Sequence, residues 1–303
     1  MKDMYKIAGI SKQAIWKRCK RQEEAALITS EVVDMIKGVR INHKRMGCRK
    51  IYYTSTEPLP VGRDIFEQIG FSNGFKLKLK RNKMKTTWSQ RVEVYPNLIE
   101  GAKINGINQI WQSDIFYLKV EEIDYYGVSI EDVYSRKLLA LHLSKSLRAE
   151  ENVRALRKAL KARQGDDLTG CIFHSDRGSQ YISQAHKQLL HDEEMDISMC
   201  KMPQENAYVE RVQGILKYEY LFEHKLTVAN LQKMIQKILY WYNDERPHKE
   251  LKMMTPTAFE QYVNNMAAKD RSEMQIYKGF AELSTKNQVI DKKKKEAKKK
   301  KST

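Results

Sequence analysis

Three acidic residues stand at positions where a carboxylate can do chemistry. Asp114 lies inside the apolar stretch IWQSDIFYLKV, Asp176 ends the short stretch CIFHSD, and Glu210 lies in the predicted helix of ENAYVERVQ. A carboxylate within an apolar strand is costly unless it is paired or binds a cation. Each acid alone also has an ordinary structural explanation: Asp114 can cap a turn, Asp176 can stabilise the glycine turn after it, and Glu210 can be a solvated helix residue.

Taken together, the three acids predict a site for a hard cation. In a sheet covered by helices, a carboxylate within a strand, one at a strand end and one on a helix can converge at the same edge. Such a cluster repels itself unless a cation lies within it, and Mg²⁺ favours a few carboxylates together with water and phosphate oxygens. The sequence therefore predicts Mg²⁺ as the occupant.

The elements that must position these acids alternate between strands and helices. Strands are predicted over 110–120, 125–133, 137–143, 171–176 and 197–201, and helices over 149–163, 183–194, 205–222 and 227–246. This order predicts a layered α/β domain. Because the first three strands are too closely linked for helical crossovers, we expect a mixed sheet.

The N-terminal third reads as short helices in a basic context. Helices are predicted over 12–26 and, after an N-cap at Ser30, over 31–43, followed by segments at 48–53 and 61–71. Short helices separated by tight breaks are typical of a helix-turn-helix, although other small helical domains give a similar pattern.

The charge of the chain is unevenly distributed. The 303 residues carry a formal net charge of +17, and residues 1–105 hold 22 Lys and Arg against 10 Asp and Glu. Residues 106–291 hold 25 against 27, and residues 292–303 hold 8 against 1. The excess positive charge therefore flanks a nearly neutral middle, which indicates a module that binds a polyanion, with nucleic acid as the leading candidate. The hydrophobic content of 41% excludes wholesale disorder.

The basic stretch KLKLKRNKMK at 76–85 allows two interpretations. Lys76, Lys78, Lys80 and Arg81 belong either to a solvated linker or edge strand, or to an extended arm along DNA phosphates, and their place between two predicted domains favours the arm. The final segment, DKKKKEAKKKKST, is expected to be a disordered tail that attracts phosphates without specificity.

The chain carries no sign of a membrane or secreted protein. No apolar run reaches the roughly 18 residues of a transmembrane helix, and the first residues lack the apolar region of a signal peptide. The cysteines at 19, 48, 171 and 200 are scattered singly, which excludes a disulfide scaffold and a zinc site of the CxxC type. These features predict a cytosolic protein that does not bind membranes.

Five ordered motifs run along the middle of the chain: WQSDI at 111–115, IEDVYSRK at 130–137, HSDRGSQY at 174–181, ENAYVERVQGILKYE at 205–219, and WYNDERPHKEL at 241–251 with Thr255-Pro256. With them, the stretch from about 106 to 262 resembles the integrase core of bacterial insertion-sequence transposases of the insertion-sequence-three family. Asp176 and Glu210 are separated by 33 residues, slightly fewer than is usual in that family.

The resemblance implies a ribonuclease-H-like fold and a DDE polynucleotidyl transferase, which cleaves the 3′ ends of a mobile element and joins them to other DNA. It aligns Asp114, Asp176 and Glu210 with the catalytic triad, which would hold two Mg²⁺ ions, for which Mn²⁺ can substitute. Lys217 aligns with a basic residue that positions the terminal DNA. The implied partners are double-stranded DNA, further copies of this chain, and the first-frame product of the same element. The implied location is the bacterial cytoplasm, in association with the nucleoid.

The N-terminal third resembles the DNA-binding part of the same family. RMGCRKI at 45–51 matches a glycine-containing helix, and VGRDIF at 61–66 would open a recognition helix, which makes Arg63 a candidate for base contact. The predicted division is a short helical region at 1–28, a helix-turn-helix-like domain at 29–75, a basic linker at 76–105, an integrase core at 106–263 and an extension with a basic tail at 264–303.

Four further polar residues within the motifs receive secondary interpretations. Asp132 is interpreted as structural, and His174 as a supporting residue beside the metal site. Arg246 and His248 flank a proline. For these two residues, a capping or fold-stabilising role and a role in DNA contact remain equally open interpretations.

Two other functions remain open from the sequence. A catalytically idle DNA-binding regulator descended from a mobile element would tolerate loss of the acids, yet all three are present. A nuclease of similar fold, which cuts DNA without joining it, would share the triad and differ only in the flanking motifs.

Overall fold

The computed structural model describes residues 11–77, 95–200 and 203–276. The chain divides into two units by its internal contacts. A helical unit contains Met1–Thr86, Lys217–Lys225 and Glu245–Met254, and a sheet unit contains Thr87–Leu216, Leu226–Asp244 and Thr255–Thr303. The predicted functional division of the chain stays a prediction, and one of its boundaries, between residues 28 and 29, lies inside a continuous helix.

The helical unit contains three α-helices that surround one apolar cluster. They are α1 (Lys12–Asn42), α2 (Cys48–Tyr52) and α3 (Arg63–Ser72). The buried members of the cluster are Val32, Ile36, Met46, Cys48, Ile51 and Phe66. The π-helical segment Leu216–Leu221 and the 3₁₀ turn Lys249–Leu251 lie mostly or wholly in this unit.

The prediction of two separate helices over 12–26 and 31–43 is wrong, because α1 runs without a break through Ser30. The Thr29 hydroxyl donates to the carbonyl of Ala25, 2.7 Å away. This side chain therefore finds its hydrogen-bond partner within the helix and does not end the helix. The apolar spacing of Ile28, Val32 and Ile36 also continues through this region, and packing of that side outweighs the capping preference of Ser30.

The sheet unit is built on a five-stranded mixed sheet, which confirms the α/β, ribonuclease-H-like fold class. Its strands are β2 (Ile110–Val120), β3 (Ile123–Asp132), β4 (Leu138–Ser144), β5 (Ile172–Ser175) and β6 (Asp196–Met199), in the spatial order β4-β3-β2-β5-β6. The first three are antiparallel neighbours, whereas β5 runs parallel to both β2 and β6. A separate antiparallel pair joins β1 (Lys103–Ile104) to β7 (Met274–Gln275).

Five α-helices accompany this sheet in the described residues: α4 (Ala149–Ala162), α5 (Gln184–Asp192), α6 (Ala207–Ile215), α7 (Leu231–Tyr240) and α8 (Pro256–Asn264). The unit also holds 3₁₀ turns at Ser179–Ile182, Pro203–Asn206 and Ala268–Asp270, and the π-helical segment Trp241–Glu245 follows α7. Among the described residues, none of the helices combines the length and the hydropathy of a membrane-spanning segment.

The two faces of the sheet differ in polarity. One face contributes Trp111, Ile130 and Phe173 to an apolar core shared with α4. The ladder places Gln112 opposite both Glu131 and His174, and these three buried side chains form a polar row on the other face, where α6 packs against β2 and β3. The acids predicted to be catalytic lie on this polar side.

Candidate active site

Asp114 lies in the middle of β2, the central strand of the sheet. Strand alternation turns Trp111 toward the apolar core and leaves Gln112 and Asp114 on the opposite face. The Asp114 carboxylate is half-buried; its Oδ1 accepts from the backbone N–H of Ile115 at 2.8 Å, and its Oδ2 accepts from the side chain of Gln213 at 3.0 Å. These hydrogen bonds hold the carboxylate in one orientation at the boundary between core and solvent.

Asp176 follows β5 directly and begins a tight turn. Its Oδ1 accepts from the backbone N–H of Gly178 at 3.0 Å, and a Cβ at Gly178 would lie 3.0 Å from that same oxygen and 2.9 Å from Oε1 of Gln180. Burial raises the pKa of Asp176, and the hydrogen bond from Gly178 opposes this rise. No basic side chain in the described residues forms an ion pair with Asp176, so this carboxylate is suited to a cation from outside the protein.

The pairing of β2 with β5 places the two aspartates at equivalent positions, each two residues beyond the last pair of the ladder. Gln112 lies opposite His174 in this parallel ladder, and two residues further along each chain come Asp114 and Asp176, on the same side of the sheet. Both carboxylates act on the phenol of Tyr181. Burial is the main cause that raises its pKa well above the ordinary value, and the charges of Asp176 and Asp114 raise it further.

Side-chain amides tie α6 to the central strand. The Asn206 Nδ2 donates to the carbonyl of Ser113 at 3.2 Å, and the Oε1 of Gln112 accepts from the backbone N–H of Val209 at 3.3 Å. The N-terminal end of α6 is therefore fixed against β2 by the Ser113 carbonyl and the Gln112 side chain, which both belong to β2.

Glu210 is presented by this tied helix. It lies one helical turn before Gln213, on the same side of α6, and Gln213 contacts Asp114 directly. The Glu210 side chain is exposed, and partial burial raises the pKa of its carboxyl. Glu210 therefore lies on the side of α6 that carries Gln213, and no hydrogen bond to another described residue holds its side chain.

The three carboxylates provide hard oxygen ligands, but they do not form a finished metal site. Among the described residues, no three His, Cys, Asp or Glu side chains are gathered closely enough to hold a metal ion. Asp114 and Asp176 fit a hard cation by donor chemistry, and the half-buried carboxylate of Asp176, which forms no ion pair within the described residues, favours one electrostatically. Glu210 is the most exposed carboxylate of the three.

The residues predicted to contact DNA lie in different surroundings. Arg63 is the first residue of α3, as predicted, but its guanidinium pairs with the Asp64 carboxylate at 2.8 Å. Lys76 is exposed, with its ammonium 5.7 Å from the ring centre of Phe71. Lys217 is half-buried in the π-helical segment Leu216–Leu221. Lys78, Lys80, Arg81 and the basic tail lie outside the described residues, and DNA contact by all of these residues stays a prediction.

The structure gives Asp132 a purely structural environment. Its buried carboxylate accepts from the backbone N–H groups of Asn108 at 2.6 Å and of Ser135 at 2.8 Å, and it lies 3.7 Å from the guanidinium of Arg163. Arg163, which follows α4, in turn forms two hydrogen bonds with the Glu260 carboxylate and so connects the end of α4 to α8.

His174 is completely buried in the polar row. Its Nδ1 hydrogen-bonds with the Ser198 hydroxyl at 2.9 Å, whereas its Nε2 has no hydrogen-bond partner in the described residues. Burial lowers its pKa to about 4, so the imidazole is neutral near pH 7. A neutral, enclosed ring supports the sheet beneath Asp176 and carries no charge to the site.

Arg246 and His248 take part in buried contacts of the helical unit. The Arg246 guanidinium forms two hydrogen bonds of 2.8 Å with the Glu219 carboxylate, and its Nη1 lies 3.2 Å from Nε2 of His248. In the same unit, His43 lies 2.8 Å from Glu245 and 3.0 Å from the Tyr220 hydroxyl. The part of the WYNDERPHKEL motif from Glu245 onward therefore contributes to the stability of the helical unit.

Sequence reasoning missed the amides that arrange the acids. Gln112 and Asn206 lie inside quoted motifs, and a polar residue within an apolar strand could have marked Gln112. Gln213 stands three residues after Glu210, which predicts a shared helix side but not the contact across to Asp114. Glu131 was also missed; it is fully buried, and neither carboxyl oxygen has a hydrogen-bond partner in the described residues.

Two family profiles, both described as integrase core domain, match residues 105–203 and 192–256 of this chain. Among curated proteins, the chain is 29% identical over 214 residues to the uncharacterized 31 kDa protein of insertion element IS600 from Shigella sonnei, with 69% of this chain and 78% of the relative covered. It is 29% identical over 199 residues to the transposase of IS904 from Lactococcus lactis, with 63% and 76% covered.

A further relative is the transposase of IS629 from Shigella sonnei, 27% identical over 217 residues, with 68% of this chain and 70% of the relative covered. Among solved structures, the dimeric form of the HTLV-2 integrase catalytic core domain in complex with magnesium aligns with a TM-score of 0.43 and 21% identity, over 51% of this chain and 97% of the other.

Proposed function

Because the chain belongs to the insertion-sequence transposases with an integrase core domain, we propose that it cleaves and joins DNA with Asp114, Asp176 and Glu210 as its catalytic acids. The observation that best supports this assignment is the parallel pairing of β2 with β5, in which Gln112 lies opposite His174, two residues before Asp114 and Asp176 respectively. Gln213 then links Asp114 to the helix that presents Glu210.

The three carboxylates would hold two divalent cations. Oxygen ligands favour Mg²⁺, and Mn²⁺ would substitute for it. When bound, such ions supply Lewis-acid activation of the phosphate and of the attacking oxygen.

The remaining contributions come from the residues of the chain itself. Gln213 fixes the orientation of the Asp114 carboxylate, and the turn at Gly178 fixes that of Asp176. In the first reaction, water attacks a phosphodiester at the transposon end, and the P–O bond that breaks leaves a 3′-hydroxyl. In the second, that hydroxyl attacks a phosphodiester of other DNA, which releases a new 3′-hydroxyl there.

Double-stranded DNA is the partner that this chemistry requires. The proposed contacts are Arg63 for base recognition, and Lys76, Lys78, Lys80, Arg81 and Lys217 for phosphates or terminal DNA. Cutting and joining two ends requires more than one active site, so we propose that several copies of the chain assemble on DNA. The first-frame product of the same element is a further proposed partner.

Substitution of each acid tests this proposal. Asp114→Asn, Asp176→Asn and Glu210→Gln should each abolish cleavage and joining of the element's end DNA while leaving DNA affinity close to that of the wild type, because a metal ligand is lost and the DNA contacts remain. Glu150→Gln, at an exposed carboxylate in the first turn of α4, is the matched control and should keep full activity. Retained joining in any acid variant would exclude that residue from the triad.

A labelled end separates transposase from nuclease. We expect the label to appear in longer DNA, since the freed 3′-hydroxyl joins a second duplex, and we expect activity with Mg²⁺ or Mn²⁺ but not with Ca²⁺. Cleavage without any joined product would identify a nuclease. Full activity in excess chelator would contradict the role of metals.

A further inference from the structure

One side of α1 changes character along its length. Its C-terminal half packs into the apolar cluster of the helical unit through Ile28, Val32, Met35, Ile36 and Val39. An α-helix repeats its direction after 18 residues, which make about five turns. Counting back by 18 from Met35, Ile36 and Val39 therefore reaches residues on the same side of the helix.

Those residues are Lys17, Arg18 and Arg21. Lys20 lies one turn from Lys17 at the edge of the same side. We define these four cations as the basic side of α1. Between residues 28 and 39, this side of the helix is apolar and packed. Before residue 22, the helix extends past the apolar cluster and the same side is basic.

The basic side is solvent-exposed at each of its four residues. None of the four forms an ion pair with a carboxylate in the part of the chain that the structure describes. Trp16, which is 63% exposed, lies beside them, and the ammonium of Lys20 is 5.5 Å from the centre of its ring. The four charges and the indole are therefore available to a ligand.

Local electrostatics also favours an anionic ligand here. Residues 12–21 of the helix contain five cations and no acid, and the first turn lacks an acidic residue. Cations in the N-terminal part of a helix oppose its macrodipole and repel one another, so this arrangement weakens an isolated helix. A row of phosphates would relieve both effects at once.

From this combination we infer that the basic side of α1 binds the backbone phosphates of double-stranded DNA. The inference rests on the proposed function, which supplies the DNA. It assigns a second DNA-binding surface, separate from Arg63 and from the basic stretch at 76–85. A second copy of the same side is a poor occupant, because four unpaired cations would face four more. Since the contacts are to phosphates, binding here is independent of base sequence.

The test is DNA affinity of the full chain at several salt concentrations, measured on a fluorescent duplex of random sequence. The variant Lys17→Gln, Arg18→Gln, Lys20→Gln, Arg21→Gln should bind at least about tenfold more weakly at low salt. The slope of log affinity against log salt should become shallower by about 0.9 for each phosphate contact removed, or about 3 to 4 in all. The matched control is Lys233→Gln with Lys237→Gln, at exposed positions on α7, which should bind as the wild type does.

Two measurements keep the test interpretable. Far-UV circular dichroism should show unchanged helix content, and the single variants Arg18→Gln and Arg21→Gln should each give a part of the same slope change. Unchanged affinity and slope in the fourfold variant, while the wild type still binds and joins DNA, would overturn this inference and leave the proposed function standing. A change of oligomeric state without any change in DNA affinity would also overturn it, because the surface would then be an interface between copies.

Discussion

The side-chain amide of Gln213 donates a hydrogen bond to the carboxylate of Asp114 across 3.0 Å. Gln213 is buried, and it lies on the helix that carries Glu210, whereas Asp114 belongs to the central strand. This single contact connects two acids that are 96 positions apart in the sequence. It fixes the direction of one carboxylate relative to the helix that presents the other.

Removal of this donor should slow the reaction without unfolding the protein. Gln213→Met keeps the length of the side chain but loses the amide, so the Asp114 carboxylate gains rotational freedom. Loss of a partner that orients a metal ligand typically lowers activity or metal affinity by about 10–100-fold, and we expect single-turnover cleavage to fall by that factor. The matched control is Gln188→Met, since Gln188 bonds to Asp192 on the exposed side of α5. Equal cleavage rates for Gln213→Met and the wild type would show that the contact does not orient the site.

Glu131 should make the stability of the protein depend on pH. Burial raises its pKa from the ordinary value of 4.5 to about 8, with smaller opposing effects from Arg136 and Arg211. The folded protein keeps a proton that the unfolded chain releases, so this stabilising effect is fully present below about pH 4.5 and is lost as the pH rises to about 8. The slope over that interval approaches about 1.4 kcal/mol per pH unit.

The variant Glu131→Gln isolates this effect, because it keeps the shape of the side chain and cannot ionise. Its free energy of unfolding, measured in urea at a series of pH values, should fall less than that of the wild type between pH 5 and 8, and it should be the more stable protein at pH 8. Parallel curves for the two proteins would mean that Glu131 is ionised in the folded state.

The Arg163 guanidinium should be among the strongest single contributors to stability in the sheet unit. It is buried against the Glu260 carboxylate and lies 3.7 Å from Asp132. Arg163→Met leaves the buried Asp132 carboxylate without its cation and leaves Glu260 paired with Lys137 alone, which should lower the free energy of unfolding by about 3–5 kcal/mol. Arg154→Met removes an exposed partner of Glu151 and should change stability by less than about 1 kcal/mol. Similar urea midpoints for both variants would contradict the proposed importance of the buried pair.

Arg63 tests the prediction that α3 reads DNA sequence. Its guanidinium must leave Asp64 to reach a base edge from the first turn of α3. Arg63→Ala should weaken binding to the element's end by about 1–3 kcal/mol and weaken binding to random DNA by less. Arg49→Ala, at an exposed arginine paired with Glu67 on α3, serves as the comparison and should affect both DNAs alike. Equal weakening of both DNAs by Arg63→Ala would place the recognition helix elsewhere, with 48–53 as the next candidate.

The sequence by itself predicted the five strands of the main sheet and singled out the three acids, whose catalytic role stays a prediction, whereas β1, β7 and α8 were not predicted and the helix expected over 205–222 is divided into shorter segments. The predicted strand at 110–120 coincides with β2, and the helix predicted over 149–163 ends one residue later than α4. These elements are visible because alternation and helical spacing of apolar residues are local patterns, set by which side of each element is buried. Asp114 and Asp176 were recognisable for the same reason, as charges in otherwise apolar strands.

Only the tertiary structure decided how α1 runs and what surrounds the acids. Ser30 predicts a helix start locally, yet the packing of Ile28 and Val32 on one apolar cluster keeps the helix continuous. The contact of Gln213 with Asp114 and the complete burial of Glu131 join residues that are far apart in the sequence. Such contacts follow from the register of strands and the docking of helices, which depend on the whole core and leave no local pattern in the chain.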